Sequence, residues 1–198
     1  MANLDAPNGF TPVRHLNGGT VRYTGGYTID SGQASDIFLG DAVILDATPT
    51  GDGNNIDVAV AGGELIGIFA GCQYTAANGD VVWAKQWASG TATLGAEPAE
   101  AFVYVDPSIV FSVQVDGTIA DTDIGNFADL VAGAGNAATG VSGFELSATT
   151  AGTIAQFQIL GLSSAPDGIF TADIATANPR VDVQIAESPY RAWPGAVS

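Results

Sequence analysis

Very few residues of this chain could act as a nucleophile or a base. The 198 residues include one histidine, His15, one cysteine, Cys72, and one lysine, Lys85. Nucleophilic catalysis needs a nucleophile, a base and a group that orients the base. A Cys72–His15 pair would require a histidine in an irregular segment to reach a thiol in a continuous apolar run. We therefore interpret Cys72 as buried and inert and His15 as a surface residue, and we expect no catalytic residues and no enzyme activity.

Clusters of oxygen-bearing side chains occur at 51–57 (GDGNNID) and 121–126 (DTDIGN). Calcium prefers such ligands, but neither cluster has the spacing of an EF-hand loop. Asp, Asn and Gly in such runs are typical of turns, so we assign no metal site. Among 21 acidic residues, some carboxylate pair with the spacing of a glycosidase will always be found. No glycine-rich phosphate-binding motif is present, so we expect no cofactor.

The charge of the chain excludes some partners. Its net charge is −16, and between residues 23 and 179 Lys85 is the only basic residue against 18 acidic ones. Binding nucleic acid releases counterions only when cations neutralise phosphates, so we expect no nucleic-acid partner and no adhesion to an anionic membrane. Charged residues make up only 13% of the chain, about half the usual share. We therefore expect part of the surface to be covered by a protein partner.

Residues 1–24 lack both helical and alternating periodicity. Pro7 and Pro12 favour extended backbone around them, so we predict an extended N-terminal arm over 1–24, distinct from the core, and a single β-rich domain over 25–198. The arm has no basic start followed by an apolar run, which predicts that it is not a signal peptide. No segment reaches the roughly 18 apolar residues of a membrane span, and we expect synthesis and folding in a reducing cytoplasm.

From residue 26 onward, short apolar runs alternate with clusters of Gly, Asp, Asn and Pro, which indicates an all-β fold. We predict roughly ten strands, arranged as a β-barrel or as a two-sheet, jelly-roll-like sandwich. The clearest runs are 42–47, 56–60, 64–74, 81–87, 109–115, 144–148, 153–162 and 180–187. The run 109–115 is predicted to be half-buried and to end in a hairpin turn at 116–117, and 78–80 (NGD) is a second turn signal. Residues 131–143 are interpreted as a loop of small residues.

Two tryptophans are predicted to share one face of the strand 81–87. On that face, Trp83 and Trp87 flank Lys85. Such a pair could be a platform for stacking sugars, but a core edge with a lysine extended to solvent is the more common arrangement. The pair could also anchor a protein interface, where tryptophan is over-represented.

Several segments of the chain, in order, resemble one group of tailed-bacteriophage structural proteins. The first is MANLDAPNGFTPVRHLNGG at the N-terminus, since these proteins typically begin with Met-Ala-Asn, then a Pro and Gly-Phe, then Pro-Val-Arg-His-Leu. The others are FVYVDPSIVFSVQVDGTIADTDIGNFADL (102–130), NAATGVSGFELS (136–147), AQFQILGL (155–162) and VDVQIAESPYR (181–191). The C-terminal segment AESPYRAWPGAVS departs from the family pattern and extends beyond it.

The resemblance implies a virion protein of the capsid decoration or cement type. Such a protein is made in the host bacterial cytoplasm, binds the outer surface of the phage head and clamps neighbouring major-capsid subunits after DNA packaging. It implies the phage major capsid protein as a partner. We also expect a second copy of the chain as a partner, in a dimer rather than a trimer, because a twofold contact would cover an exposed strand edge. A carbohydrate- or receptor-binding β-module on the virion surface is the alternative. The predicted interface residues are Phe10, Val13, Arg14, His15, Leu16, Arg22, Trp83, Trp87, Tyr190, Arg191 and Trp193.

The expected role of the arm is to bind a neighbouring subunit. A solvated tail gains nothing from the apolar side chains of Phe10, Val13 and Leu16. Burying them on a partner would offset the conformational entropy that the arm loses when it becomes ordered. On this hypothesis, a protein lacking residues 1–22 remains a folded domain but no longer binds capsids.

Overall fold

The chain folds as an all-β sandwich, and the predicted fold class is confirmed in its sandwich form. The computed structural model describes residues 3–46, 53–163 and 177–191. Within these ranges there is no α-helix, and two short 3₁₀ turns lie at Leu94–Ala96 and Asp121–Asp123. The strands are β1 Thr11–His15, β2 Thr24–Ile29, β3 Ala42–Leu45, β4 Ile56–Val58, β5 Gly67–Thr75, β6 Val81–Ala84, β7 Ala99–Tyr104, β8 Ile109–Gln114, β9 Phe127–Ala128, β10 Leu130–Val131, β11 Glu145–Leu146, β12 Phe157–Leu162 and β13 Arg180–Ile185.

Three sheets account for these strands. A five-stranded sheet has the order β1-β8-β13-β12-β9, and a six-stranded sheet has the order β2-β7-β5-β3-β4 with β6 paired to β5. A small third sheet pairs β10 with β11. All the paired strands run antiparallel. No sheet closes on itself among the described residues, so the barrel alternative is wrong.

The main core lies between the two large sheets. The alternation predicted for β8 places Phe111 and Val113 on the inner face, where they meet Val183 of β13 and Ile68 of β5 in one cluster. The prediction that β8 is half-buried is wrong, because all six of its residues are buried. On the outer face, the Gln114 side chain is covered by the N-terminal segment: it accepts a hydrogen bond from the Ala6 N–H at 2.9 Å and donates one to the Leu4 carbonyl at 2.7 Å.

The two predicted turns have different outcomes. Residues 78–80 do connect the antiparallel pair β5 and β6. Residues 116–117 do not close a hairpin, because β8 pairs with β1 and β13, both distant in sequence, and not with the strand that follows it. After β8 the chain leaves the large sheets, and the Asp116 N–H donates to the Leu146 carbonyl. Asp–Gly favours a turn, and here the turn lies between sheets rather than within one.

The N-terminal segment is part of the sheet and the core, which corrects its interpretation as an arm distinct from them. Strand β1 pairs with β8, where Thr11 is opposite Ser112 and His15 is opposite Ile109. Phe10 is fully buried and stacks on Phe157, with ring centroids 4.2 Å apart. Removing residues 1–22 would therefore take an edge strand and a core aromatic from the domain, so a folded truncated protein is no longer expected.

The six-stranded sheet buries a second apolar cluster on its other face. This cluster includes Ile29 of β2, Phe69 of β5, Val103 of β7 and Trp87, which follows β6. The sheet is therefore covered on both faces over much of its area, which agrees with the continuous apolar run of β5. No helix in the described residues is long and apolar enough to cross a membrane.

Candidate interaction surface

Arg14 and His15 of strand β1 are already paired with carboxylates within the chain. Arg14 donates from Nη2 to Oδ2 of Asp182 on β13 at 3.0 Å, across the outer face of the five-stranded sheet. His15 lies 3.0 Å, Nε2 to Oδ2, from Asp106 in the turn before β8. Burial alone would raise the pKa of Asp106, but hydrogen bonds from Ser108 and His15 outweigh it and lower that pKa. Both contacts fix β1 against its own sheet.

His15 is fully engaged at both ring nitrogens. Its Nδ1 accepts the Asn17 N–H at 3.2 Å, and Nε2 faces the Asp106 carboxylate. With Nδ1 accepting, a neutral ring carries its proton on Nε2 and donates it to Asp106. No ring nitrogen is then left to take a proton from a nucleophile. The arrangement clamps Thr11–His15 against the turn that precedes β8.

The remaining predicted residues of the N-terminal segment divide between core and surface. Phe10 belongs to the core and cannot contact a partner. Val13 and Leu16 are 40% and 46% exposed, and Arg22 is also exposed. Val13 lies at a register irregularity between Pro12 and Arg14, so β1 places an apolar side chain on its solvent side. The available part of the predicted surface is therefore Val13, Leu16 and Arg22.

A cleft of about 310 Å³ lies beside β1. Phe10 and Pro12 line it from the N-terminal segment, Gly40 from the turn before β3, and Phe69 and Tyr104 from the six-stranded sheet. Its walls are mainly apolar. The cleft therefore separates β1 from the six-stranded sheet at the edge of the sandwich.

A row of aromatic rings crosses the six-stranded sheet next to this cleft. The Trp83 and Phe102 rings are parallel within 2°, with centroids 5.3 Å apart. Phe102 meets Tyr23 at 5.3 Å, and Tyr23 meets Tyr104 at 6.1 Å. Because Tyr104 also lines the cleft, the aromatic row and the cleft form one continuous surface.

Trp83 and Phe102 stack across a strand that lies between their own strands and contains a bulge. Trp83 lies on β6 and Phe102 on β7, and β5 runs between these strands. Phe102 is opposite Gly71 of β5, and Trp83 is opposite Gln73 of the same strand. Gly71 also has φ +135° next to a register shift, a conformation that favours glycine at a β-bulge. A Cβ at Gly71 would also lie 2.9 Å from the Ala84 carbonyl oxygen of β6, so the bulge and the close approach of β6 both favour glycine here.

The prediction that Trp83 and Trp87 share one face is wrong. Trp83 is 66% exposed, whereas Trp87 is fully buried. Strand β6 ends at Ala84, and the chain bends before Trp87 exchanges two backbone hydrogen bonds with Ile37. The bend breaks the two-residue alternation and turns Trp87 into the second core, where its ring meets Tyr74 edge-on at 5.5 Å.

The predicted C-terminal residues Tyr190 and Arg191 form hydrogen bonds with parts of the domain other than β1. The hydroxyl groups of Tyr190 and Tyr27 are hydrogen-bonded at 2.7 Å, and Arg191 donates from Nη1 to the Ile185 carbonyl at 2.9 Å. These contacts attach the last described residues to β2 and β13. Trp193 lies outside the described residues.

Catalytic and metal-binding arrangements are not assembled by the described residues. Cys72 is buried, and desolvation raises the pKa of its thiol to about 12, so the thiolate that would act as a nucleophile is scarce at neutral pH. No group of three or more His, Cys, Asp or Glu side chains within the described ranges could hold a metal ion. The acidic segment 121–126 contains the 3₁₀ turn Asp121–Asp123.

One buried carboxyl predicts a pH-dependent stability. Burial raises the pKa of Asp41 from 3.8 to about 6, against the opposing effect of hydrogen bonds from the Phe38 N–H and Ser142. Because the folded pKa lies above the unfolded one, this group stabilises the fold below about pH 4, and that contribution is lost as pH rises to about 6. Between pH 4 and pH 7, the free energy of unfolding of the Asp41→Asn variant should gain roughly 2 kcal/mol relative to wild type.

Urea unfolding at pH 4 and pH 7 measures this difference. The other carboxyl groups contribute equally to both proteins, so their pH dependence cancels in the comparison. Asp36→Asn, at an exposed carboxylate that accepts the Ser89 N–H at 2.7 Å, is the control. Equal changes for Asp41→Asn and Asp36→Asn would contradict the effect of burial.

Comparisons of the chain with protein-family models, with curated proteins and with solved structures found no match.

Proposed function

We propose that this chain is a structural virion protein that binds the outer surface of a phage head and cements neighbouring major-capsid subunits. The proposal starts from the ordered sequence segments that resemble capsid decoration proteins. One structural observation supports it most directly: exposed apolar residues lie on an edge strand that internal contacts hold rigid. A rigid segment loses little conformational entropy on binding.

The proposed capsid contact is the outer side of β1 and the residues that follow it. Val13 and Leu16 supply apolar area, and Arg22 supplies a cation, whereas the cation of Arg14 is paired with Asp182. The acidic remainder of the surface would be repelled by DNA, which suits the outside of a filled shell. Many identical copies make modest individual contacts effective through multivalency, and pairing of two copies in a dimer is part of the proposal.

A double substitution tests the contact. Val13→Asp with Leu16→Asp places two charges at the proposed apolar contact, where they would be desolvated without partners. We expect at least a tenfold loss of affinity for expanded heads of the encoding phage prepared without this protein. Co-sedimentation across a range of protein concentrations measures it.

The matched control is Ile124→Asp. Ile124 is 43% exposed, similar to Val13 and Leu16, but lies beside β9 at the opposite edge of the same sheet. This variant should bind heads as wild type does. Wild-type protein that stays in the supernatant with expanded heads would contradict the proposed function, and undiminished binding by the double variant would contradict the proposed contact.

A further inference from the structure

The outward face of Trp83 is a flat apolar surface that no described residue of the chain covers. The parallel stack with Phe102 supports one side of the indole, and the side chain as a whole remains 66% exposed. Exposing a tryptophan in this way gives up the free energy that its burial would contribute. Internal packing therefore does not account for the position of Trp83, but binding of a ligand would.

Two polar side chains lie beside the exposed indole. Gln73 of β5 is directly opposite Trp83, and Glu100 of β7 is directly opposite Gln73. Within the described part of the chain, neither side chain forms a hydrogen bond with another residue. Gly25 of β2 has no side chain where the Glu100 carboxylate lies. An amide and a carboxylate are thus free to bind a ligand that rests on the indole.

We infer that this surface binds a neutral hexopyranose oligosaccharide. A hexopyranose has a face of C–H groups that packs against an aromatic ring, while hydroxyl groups at its rim donate to and accept from carboxylate and amide groups. Binding sites for small ligands combine an apolar floor with a few polar groups in the same way. The net charge of −16 and the nearby Glu100 disfavour an anionic polysaccharide.

The aromatic row packs behind the exposed indole, on the side away from the ligand. From Trp83, successive ring centroids are 5.3, 5.3 and 6.1 Å apart through Phe102 and Tyr23 to Tyr104. Tyr104 lines the apolar cleft beside β1. The row therefore supports the indole from behind, while the ligand rests on the outward face of Trp83.

The inference does not depend on head binding, and the isolated protein tests it. Wild-type protein should bind neutral hexopyranose oligosaccharides on a glycan array, and the strongest binder is then titrated by calorimetry, with cellohexaose and chitohexaose as defined probes. Trp83→Ala should lower the affinity about tenfold or more, Trp83→Phe should retain part of it, and Glu100→Gln should have a smaller effect. Leu94→Ala is the control, since Leu94 is 50% exposed but lies outside the aromatic row.

Thermal unfolding of each variant checks that folding is unchanged. Absence of binding to every neutral sugar, binding to anionic glycans alone, or equal binding by Trp83→Ala and wild type would overturn the inference. If Trp83→Ala instead loses affinity for phage heads while no sugar binds, the surface is a protein contact. Failure of the Val13 and Leu16 variant to lose head binding would leave the sugar result unaffected, so the two proposals can fail separately.

Discussion

Replacing Phe10 with alanine should lower the free energy of unfolding by about 3–5 kcal/mol. Phe10 is fully buried, its ring is stacked within 10° of parallel on Phe157, and its N–H donates to the Gly40 carbonyl at 2.9 Å. The backbone hydrogen bond persists in the variant, so the cavity left beside Phe157 accounts for the loss. Urea denaturation followed by tryptophan fluorescence measures it.

The control for this experiment is Val13→Ala, three residues along the same segment. Val13 is half-exposed, and its truncation should cost less than about 1 kcal/mol. A Phe10→Ala protein as stable as Val13→Ala would show that the N-terminal segment adds nothing to the core. The comparison thus distinguishes a segment that belongs to the domain from an arm that merely lies on it.

The stability of this segment also bears on the proposed capsid contact. Val13 lies on β1 and Leu16 follows it, and β1 itself follows Phe10 directly. If Phe10 no longer anchors the chain, the strand must be ordered again on each binding event, at a cost in conformational entropy. Loss of head binding by Phe10→Ala would therefore reflect the position of Val13 and Leu16 rather than a direct contact of Phe10.

The strands with alternating or continuous apolar residues were predictable from the sequence. The runs 56–60, 109–115 and 180–187 contain β4, β8 and β13 because their periodicity of two reflects one face in the core. The all-β class follows from the same pattern, which left the barrel and the sandwich open as alternatives. The pairing of the strands could not be predicted in this way, since β8 pairs with β1 and β13, which are far from it in sequence.

Strand β1 was not predictable from local preference. Its sequence, TPVRH, contains a proline and two cationic residues and shows no alternation. This segment forms a strand because it pairs with the edge of β8. Its Arg14 and His15 side chains also contact Asp182 and Asp106. Strand preference depends on the neighbouring strand more than on the residues themselves, so only the folded chain reveals this element.

The aromatic surface was predictable in one residue out of four. The run 81–87 indicates an outward Trp83, but Tyr23 and Phe102 lie far from it in sequence and meet it only through the register of β5 and β7. Gly71 in an otherwise apolar strand was the available signal, since an isolated glycine there suggests a bulge or a close approach. Which rings meet across β5 depends on how β6 and β7 pair with it, and that pairing is set by the whole sheet.

Gly133→Ala should lower the free energy of unfolding by about 3 kcal/mol. A Cβ at Gly133 would overlap the carbonyl group of Gly143, and a Cβ at Gly143 would overlap the carbonyl group of Ala134. The two backbones therefore cross in contact next to the pair formed by β10 and β11. An added methyl group must push one backbone away from the other, since no flexible side chain is available to yield. Urea denaturation compares the variant with wild type.

Gly152→Ala is the matched control, because a Cβ at Gly152 would meet nothing within 4 Å. This variant should be as stable as wild type, or slightly more stable because alanine restricts the unfolded chain. Equal stabilities of Gly133→Ala and Gly152→Ala would contradict the close crossing. The close approach at Gly133 and Gly143 gives a physical reason for small residues in 131–143. The glycines of this segment allow two pieces of backbone to pack directly against each other, where side chains would hold them apart.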